Sequence, residues 1–159
     1  MNHLFLSKVQ DSKELPKILN IQKAAFEKLY FKYKDEKTSP YKDSLQDIER
    51  RFNMQHSRYY FIQAEDTTIG FIRMITNAPL TKGRISPIAI LPQFENKGYG
   101  KRTMFEIESL FPNIKEWELD TIKQETHLVD FYTKLGYVKL DKEEQISDNM
   151  HLAYFRKKL

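Results

Sequence analysis

The sequence predicts a mixed α/β fold of about seven strands and about four helices, and three observations carry that reading. The continuous apolar run Ile88-Ala89-Ile90-Leu91 has the length of a strand covered on both faces, and Pro92 stops it. After a glycine-bearing loop, Met104, Phe105, Ile107, Leu110 and Phe111 recur at near-helical spacing. Earlier, Tyr59 to Glu65 and Thr68 to Thr76 mix aromatic and β-branched residues on either side of Asp66-Thr67, the pattern of an antiparallel hairpin. With 159 residues, 40% of them hydrophobic, the chain can bury one core and is too short for two ordinary domains, so residues 1–159 are expected to form a single domain.

The remaining elements follow in order. Leu4 to Val9 reads as a first strand, and the acidic start Asp11-Ser12-Lys13-Glu14 suits a helix N-terminus. Leu15, Ile18, Leu19, Ala25, Phe26, Leu29, Tyr30 and Tyr33 keep the spacing of an amphipathic helix, with Pro16 tolerable near its beginning. Tyr33 to Asp43 is polar, aromatic and broken by Ser39-Pro40, and is expected to be a mobile connection. Ser44 with Asp47 forms a capping box before a short helix striped by Leu45, Ile48 and Phe52. The strand from Arg84 contains Pro87, which cannot donate a ladder hydrogen bond, so a bulge is expected between Ser86 and Ile88. In Trp117 to Thr121, Leu119 and Thr121 share one face while Glu118 and Asp120 share the other. A helix lined by Leu128, Phe131, Tyr132 and Leu135 stops at Gly136. Val138 to Asp141 and Met150 to Phe155 close the fold around a polar loop, and Arg156-Lys157-Lys158 reads as a solvated tail.

Composition excludes several function classes. Lysine and arginine number 26 against 22 acids, a formal charge of +4 spread along the chain, which indicates no nucleic-acid-binding tail. The absence of cysteine removes disulfides, thiolate metal sites and cysteine nucleophiles, and four scattered histidines make no metal-ligand spacing. The N-terminus, Met1-Asn2-His3-Leu4-Phe5-Leu6-Ser7-Lys8, lacks a basic start and a long apolar stretch, so a cytoplasmic protein with no membrane segment is expected.

The loop Pro92-Gln93-Phe94-Glu95-Asn96-Lys97-Gly98-Tyr99-Gly100-Lys101-Arg102 delivers its glycines to the first turn of a helix, where unpaired N–H groups and the positive end of the dipole favour an anion. A P-loop is excluded, because Glu95 and Arg102 stand where it needs glycine and Ser or Thr. The dinucleotide fingerprint fits poorly, with Thr103 at its third glycine. What Glu95-Asn96-Lys97-Gly98-Tyr99-Gly100 resembles is the pyrophosphate loop of the GNAT superfamily of acyl-CoA-dependent N-acetyltransferases, whose pattern is Gln or Arg, two residues, Gly, any residue, Gly or Ala. Its first position here is Glu95. A second marker of that family, Phe131-Tyr132-Thr133-Lys134-Leu135-Gly136-Tyr137, lies at the expected distance downstream, and the resemblance runs from about Tyr59 to Leu140.

The resemblance implies a mostly antiparallel sheet with one splayed parallel pair, acetyl-CoA as cosubstrate, no metal, and transfer of acetyl to a primary amine by direct attack. It places Glu95, Asn96, Lys97, Gly98, Tyr99, Gly100 and Lys101, with Phe131 and Lys134, around the cofactor, and lets the backbone of Ile88 and Ile90 pair with the pantetheine arm. Tyr132 matches the tyrosine that points at the thioester sulfur and protonates the leaving thiolate, and Glu125 stands where an asparagine is common. Asp120 has the spacing from Tyr132 at which the branch acetylating ribosomal-protein N-termini carries its base; an exposed strand acid is the plainer reading, and His127 and Glu65 are weaker candidates. The resemblance leaves the acceptor open, a small-molecule amine or a peptide or protein amine, implies that Phe31 to Tyr41 walls its site, and is compatible with a monomer or homodimer. Rival readings are a non-catalytic acyl-CoA-binding module and a tRNA-directed enzyme, the latter disfavoured by the small net charge.

Overall fold

Strand residues that are apolar on both faces need cover on both sides, and here each face of one sheet receives two helices. The computed structural model describes residues 3–159; Met1 and Asn2, part of the N-terminal stretch read for a leader, lie outside the described residues. Along the chain come β1 (Phe5–Lys8), α1 (Leu15–Tyr33), α2 (Leu45–Phe52), β2 (Ser57–Ala64), β3 (Thr67–Thr76), β4 (Lys82–Ile90), α3 (Tyr99–Leu110), β5 (Glu116–Ile122), α4 (Thr126–Lys134), β6 (Val138–Ser147) and β7 (Met150–Lys158). The seven strands form a single sheet in the order β1-β2-β3-β4-β5-β7-β6. Neighbours are antiparallel except for β4 and β5.

Alternation in β2 and β3 decides which helix lies where. Tyr59, Phe61 and Phe71 turn to the face that packs on Leu15, Ile18 and Ile21 of α1 and Ile48 of α2. Tyr60, Ile72 and Met74 turn to the opposite face, with Trp117, Leu119 and Phe155, and meet Met104 and Ile107 of α3 and Tyr132 and Leu135 of α4. The capping box at Ser44 and Asp47 forms as the sequence predicts, and α4 ends at Gly136 with φ +101. Pro16 sits in the first turn of α1, where its missing N–H costs nothing. The residues before it form a short 3-10 turn capped by Asp11.

Several expectations are corrected. The β2–β3 turn is made by Glu65 and Asp66, both left-handed, one residue earlier than expected. The polar loop between the last two strands is itself strand: β6 runs to Ser147, and its charged residues stand on an exposed rim where alternation leaves no apolar signal. The supposed tail belongs to β7. Glu116 pairs with Lys158 and Trp117 with Lys157, and the Lys157 ammonium lies over the Phe105 and Tyr137 rings and meets Glu108 at 2.9 Å. The connection after α1, expected to be mobile, is folded onto that helix. Tyr41 stacks on Tyr30 at 4.9 Å, Gln22 donates to the Pro40 carbonyl at 2.7 Å, and buried Asp35 accepts from the Lys37 and Thr38 amides.

Candidate active site

The site begins where β4 leaves β5. Their parallel register holds for Lys82, Gly83 and Arg84 against Glu116, Trp117 and Glu118, and stops there among the described residues. On its other side β4 stays paired with β3 as far as Ile90. Pro87 supplies the local reason. Between Ile85 and Ile88 the β4 register slips against Met74 and Ile72, the bulge that the proline predicted. Ile85 and Ile88 consequently pack on the α3 and α4 side, whereas Ala89 packs on the α1 side. The main chain of Ile88 and Ile90 therefore has a free hydrogen-bonding edge toward β5 among the described strands, although each side chain is half-buried.

Arg73 of β3 helps to hold this geometry, and sequence reasoning did not single it out. Its buried guanidinium donates to the Ser86 carbonyl of the bulge at 3.1 Å and to Ser57 Oγ at 3.0 Å, and lies over the Tyr59 ring. Burial lowers its pKa from the usual arginine value. The available signal was an arginine inside the otherwise apolar run of β3.

Beyond Ile90 the chain turns into α3 through two left-handed residues, Asn96 at φ +61 and Gly98 at φ +85. Left-handed residues of this kind are a means of turning backbone N–H groups toward a common anion, and here they lead directly into the first turn of α3. Gly98 is the N-cap, with no side-chain cap among the described residues. Its lack of a Cβ serves conformation rather than space, because nothing lies within 4 Å of an added Cβ among those residues. Gly100 differs: a Cβ there would stand 3.2 Å from Phe131 Cζ. Phe131 thus closes α4 onto the first turn of α3, edge-on to Tyr132 at 5.0 Å. Glu95, Lys97 and Lys101 are exposed, Lys97 lies over the Phe94 ring, and Lys134 is exposed in the last turn of α4. Tyr99 is buried and donates to Glu65 Oε2 at 2.5 Å, which ties the loop helix to the β2–β3 turn. Glu65 is thereby engaged at the loop.

Tyr132 is 8% exposed, and its hydroxyl makes no hydrogen bond among the described residues. Burial first, and the charge of Asp120 second, push its pKa up, so the phenol stays protonated. Asp120 projects from the opposite face of β5 to Leu119 and forms an ion pair with Arg84. Burial raises its pKa above the ordinary carboxylate value, Arg84 opposes that shift and Glu144 adds to it. The two residues chosen from sequence therefore lie on opposite sides of β5, Tyr132 with Leu119 and Asp120 on the other face.

Glu125 did not stay idle in the asparagine position. It stands at the N-cap position of α4 without a side-chain cap bond among the described residues, is 6% exposed, and accepts from Tyr33 Oη and Lys32 Nζ, each at 2.5 Å. Burial works against its ionisation, but the hydrogen bonds from Lys32 and Tyr33 prevail and its pKa is lowered. His127 is mostly exposed and 3.8 Å from that carboxylate. Among the described residues no group of three or more His, Asp or Glu is placed to hold a metal ion, and no helix is long and apolar enough to cross a membrane.

A profile of the family described as Acetyltransferase (GNAT) domain matches residues 28–159. The chain belongs to the GNAT acetyltransferase family. No curated protein matches it. Among solved structures, an acetyltransferase from Thermus thermophilus superposes with a TM-score of 0.75 at 12% identity, covering 98% of this chain and 97% of the other. The PaiA N-acetyltransferase of Thermoplasma acidophilum, in complex with coenzyme A, gives 0.72 at 21% identity over 99% of both chains. Spermidine N-acetyltransferase of Vibrio cholerae, with CoA and spermine, gives 0.75 at 18% identity over 98% of this chain and 95% of that one. These likenesses establish the GNAT fold: the splayed β4–β5 pair, the β4 bulge and the loop before α3 are the features the resemblance led us to expect.

Proposed function

We propose that residues 1–159 act as one acetyltransferase domain that binds acetyl-CoA and passes its acetyl group to a primary amine by direct attack. The observation that carries this reading is the parting of β4 from β5 after Arg84, which leaves, among the described residues, an unpaired backbone edge between the left-handed loop at Asn96 and Gly98 and the strand that carries Asp120. The relatives solved with coenzyme A support the choice of cosubstrate. Acetyl-CoA supplies the activated thioester; the chain's own groups bind it and move protons. Loop amides from 95 to 101 hold the pyrophosphate, and the main chain of Ile88 and Ile90 holds the pantetheine arm.

The amine must be neutral to attack, and Asp120 accepts its proton directly or through water. The amine nitrogen then bonds to the carbonyl carbon, the carbon–sulfur bond breaks, and charge collects on sulfur. Tyr132 donates its hydroxyl hydrogen toward that sulfur, and the second proton, which the nitrogen sheds as the amide forms, passes through water to the thiolate, so that amide and free CoA thiol leave. Because burial holds the phenol above its usual pKa of about 10, and a thiol lies near 8.5, Tyr132 shares its proton with the sulfur rather than surrendering it early. Its environment suits a donor that stabilises developing negative charge.

Thiol release from acetyl-CoA across a panel of small amines and peptide N-termini tests the proposal. Turnover dependent on one class of amine is expected. Binding of CoA with no turnover on any amine would leave a CoA-binding module in place of an enzyme.

A further inference from the structure

We infer that Arg84 is the positioning residue of the base: it reaches across the parting of β4 and β5 and keeps the Asp120 carboxylate ionised and oriented at the opening. The inference rests on the reading of Asp120 as the base. Arg84 is the last residue of β4 with a partner in β5, opposite Glu118. Asp120 lies two positions further along β5, on the same face as Glu118. The ion pair from Arg84 Nη2 to Asp120 Oδ1 is thus a cross-strand link at the place where the backbone links stop.

One further contact holds the guanidinium, on a ring that is itself held. Arg84 lies over the ring of Tyr154, 5.6 Å from its centroid, and Tyr154 is the β7 residue registered opposite Asp120. The same ring is covered by Lys142 at 4.3 Å, and its hydroxyl donates to Glu144 at 3.0 Å. Next along the face, Glu118 is engaged by Arg156 at 2.9 Å, which leaves Arg84 to Asp120.

The groups around Asp120 compete over its charge. From β4, Arg84 favours the carboxylate; from β6, Lys142 does so and Glu144 opposes; Tyr154 of β7 and Tyr132 of α4 are neutral at ordinary pH. Burial opposes ionisation as well. Of the two cations, Arg84 alone makes an ion pair with Asp120 among the described residues. An exposed sheet pair could be deleted with little effect. Here the carboxylate is only 24% exposed, so losing the cation leaves a charge that burial already disfavours.

The test is a pH profile of kcat/KM for one good amine, measured on the wild-type chain, Arg84→Met, Arg84→Lys, Asp120→Asn and the Arg84→Met/Asp120→Asn pair, with acetyl-CoA affinity and thermal melting alongside. The amine's own titration is common to all five. Arg84→Met should move the acid limb upward by roughly one to two pH units, so that rates below the limb fall about tenfold or more while the alkaline plateau stays within a few-fold. Arg84→Lys should recover most of that shift. In the Asp120→Asn background, Arg84→Met should not move the limb. Where the methionine variant fails to fold, Arg84→Gln removes the charge and keeps a donor. An acid limb that stays in place in the neutral variant, or an equal loss at every pH, overturns the role of Arg84 while leaving the base reading intact. If Asp120→Asn itself leaves the limb unchanged, the base reading fails and the role of Arg84 with it.

Discussion

Between Glu95 and Arg102 consecutive residues build what the proposed reading takes as the cofactor cradle, whereas the side it assigns to the acceptor is assembled from Arg84, Asp120, Glu144 and Tyr154, which four stretches of chain contribute. The first works through backbone conformation: two left-handed residues, a helix start, and a Phe131 ring against Gly100. The second works through strand register, which alone decides that β4, β5, β6 and β7 bring those side chains to one face. Substitutions in the cradle should therefore act on CoA affinity, and substitutions on the strands and α4 should act on rate, pH response and choice of amine.

The largest expected effect lies outside the cradle. Tyr132→Phe keeps the ring and removes a hydroxyl that has no partner among the described residues, so kcat should fall ~10²–10³-fold, the scale for loss of one donor to developing charge. Acetyl-CoA affinity and melting temperature should stay nearly constant, and a normal kcat in steady-state assays would return Tyr132 to the core. Gly98→Val comes next. A β-branched residue at φ +85 costs roughly 1–3 kcal/mol, and CoA titration calorimetry should record about a tenfold or greater loss. Gly98→Asn sharpens the comparison, because asparagine tolerates the left-handed region. If Asn binds CoA like Gly, conformation is what the cradle needs; if it binds as poorly as Val, the phosphate needs the space.

Exchanging residues 32–41 for an equally long segment should change the ranking of amines by several-fold and leave CoA affinity intact, read from kcat/KM across the amine panel. An unchanged ranking moves the acceptor wall elsewhere. The smallest effect belongs to Lys101, exposed in the first turn of α3, where Lys101→Ala should weaken CoA by no more than about 1 kcal/mol. A greater loss would mean that side-chain charge, rather than backbone, dominates the cradle.

The same contrast explains how much was legible beforehand. The loop, the bulge at Pro87, the face carried by Asp120 and the α4 stop at Gly136 are local consequences of residue type, and each could be read in place. The left-handed turn at Asn96 was not singled out, although asparagine is a residue that accommodates positive φ. Arg84 with Asp120, Arg73 with Ser86, and Glu125 with Lys32 and Tyr33 required the register, which periodicity does not supply. The far half of β6 was hidden for another reason. Lys142 to Gln145 has little apolar content because that rim strand faces solvent, so its composition imitates a loop. Lys157 misled in the opposite sense, its charge suggesting a free end although its ammonium lies over the Tyr137 and Phe105 rings and pairs with Glu108.

An open sheet ordinarily has two rims, and this one has a third in its interior. The outer rims are guarded against foreign strands: β1 is four residues long, and β6 carries Lys139, Asp141, Lys142, Glu143 and Glu144. The inner rim, Ile85-Ser86-Pro87-Ile88-Ala89-Ile90, bears no charge, and its defences are a proline and a bulge. An extended, uncharged backbone edge is a template for intermolecular pairing. In the proposed reading the pantetheine arm fills that edge as a surrogate strand. Cosubstrate binding then carries a second benefit besides chemistry, protecting the chain from self-association through its own centre.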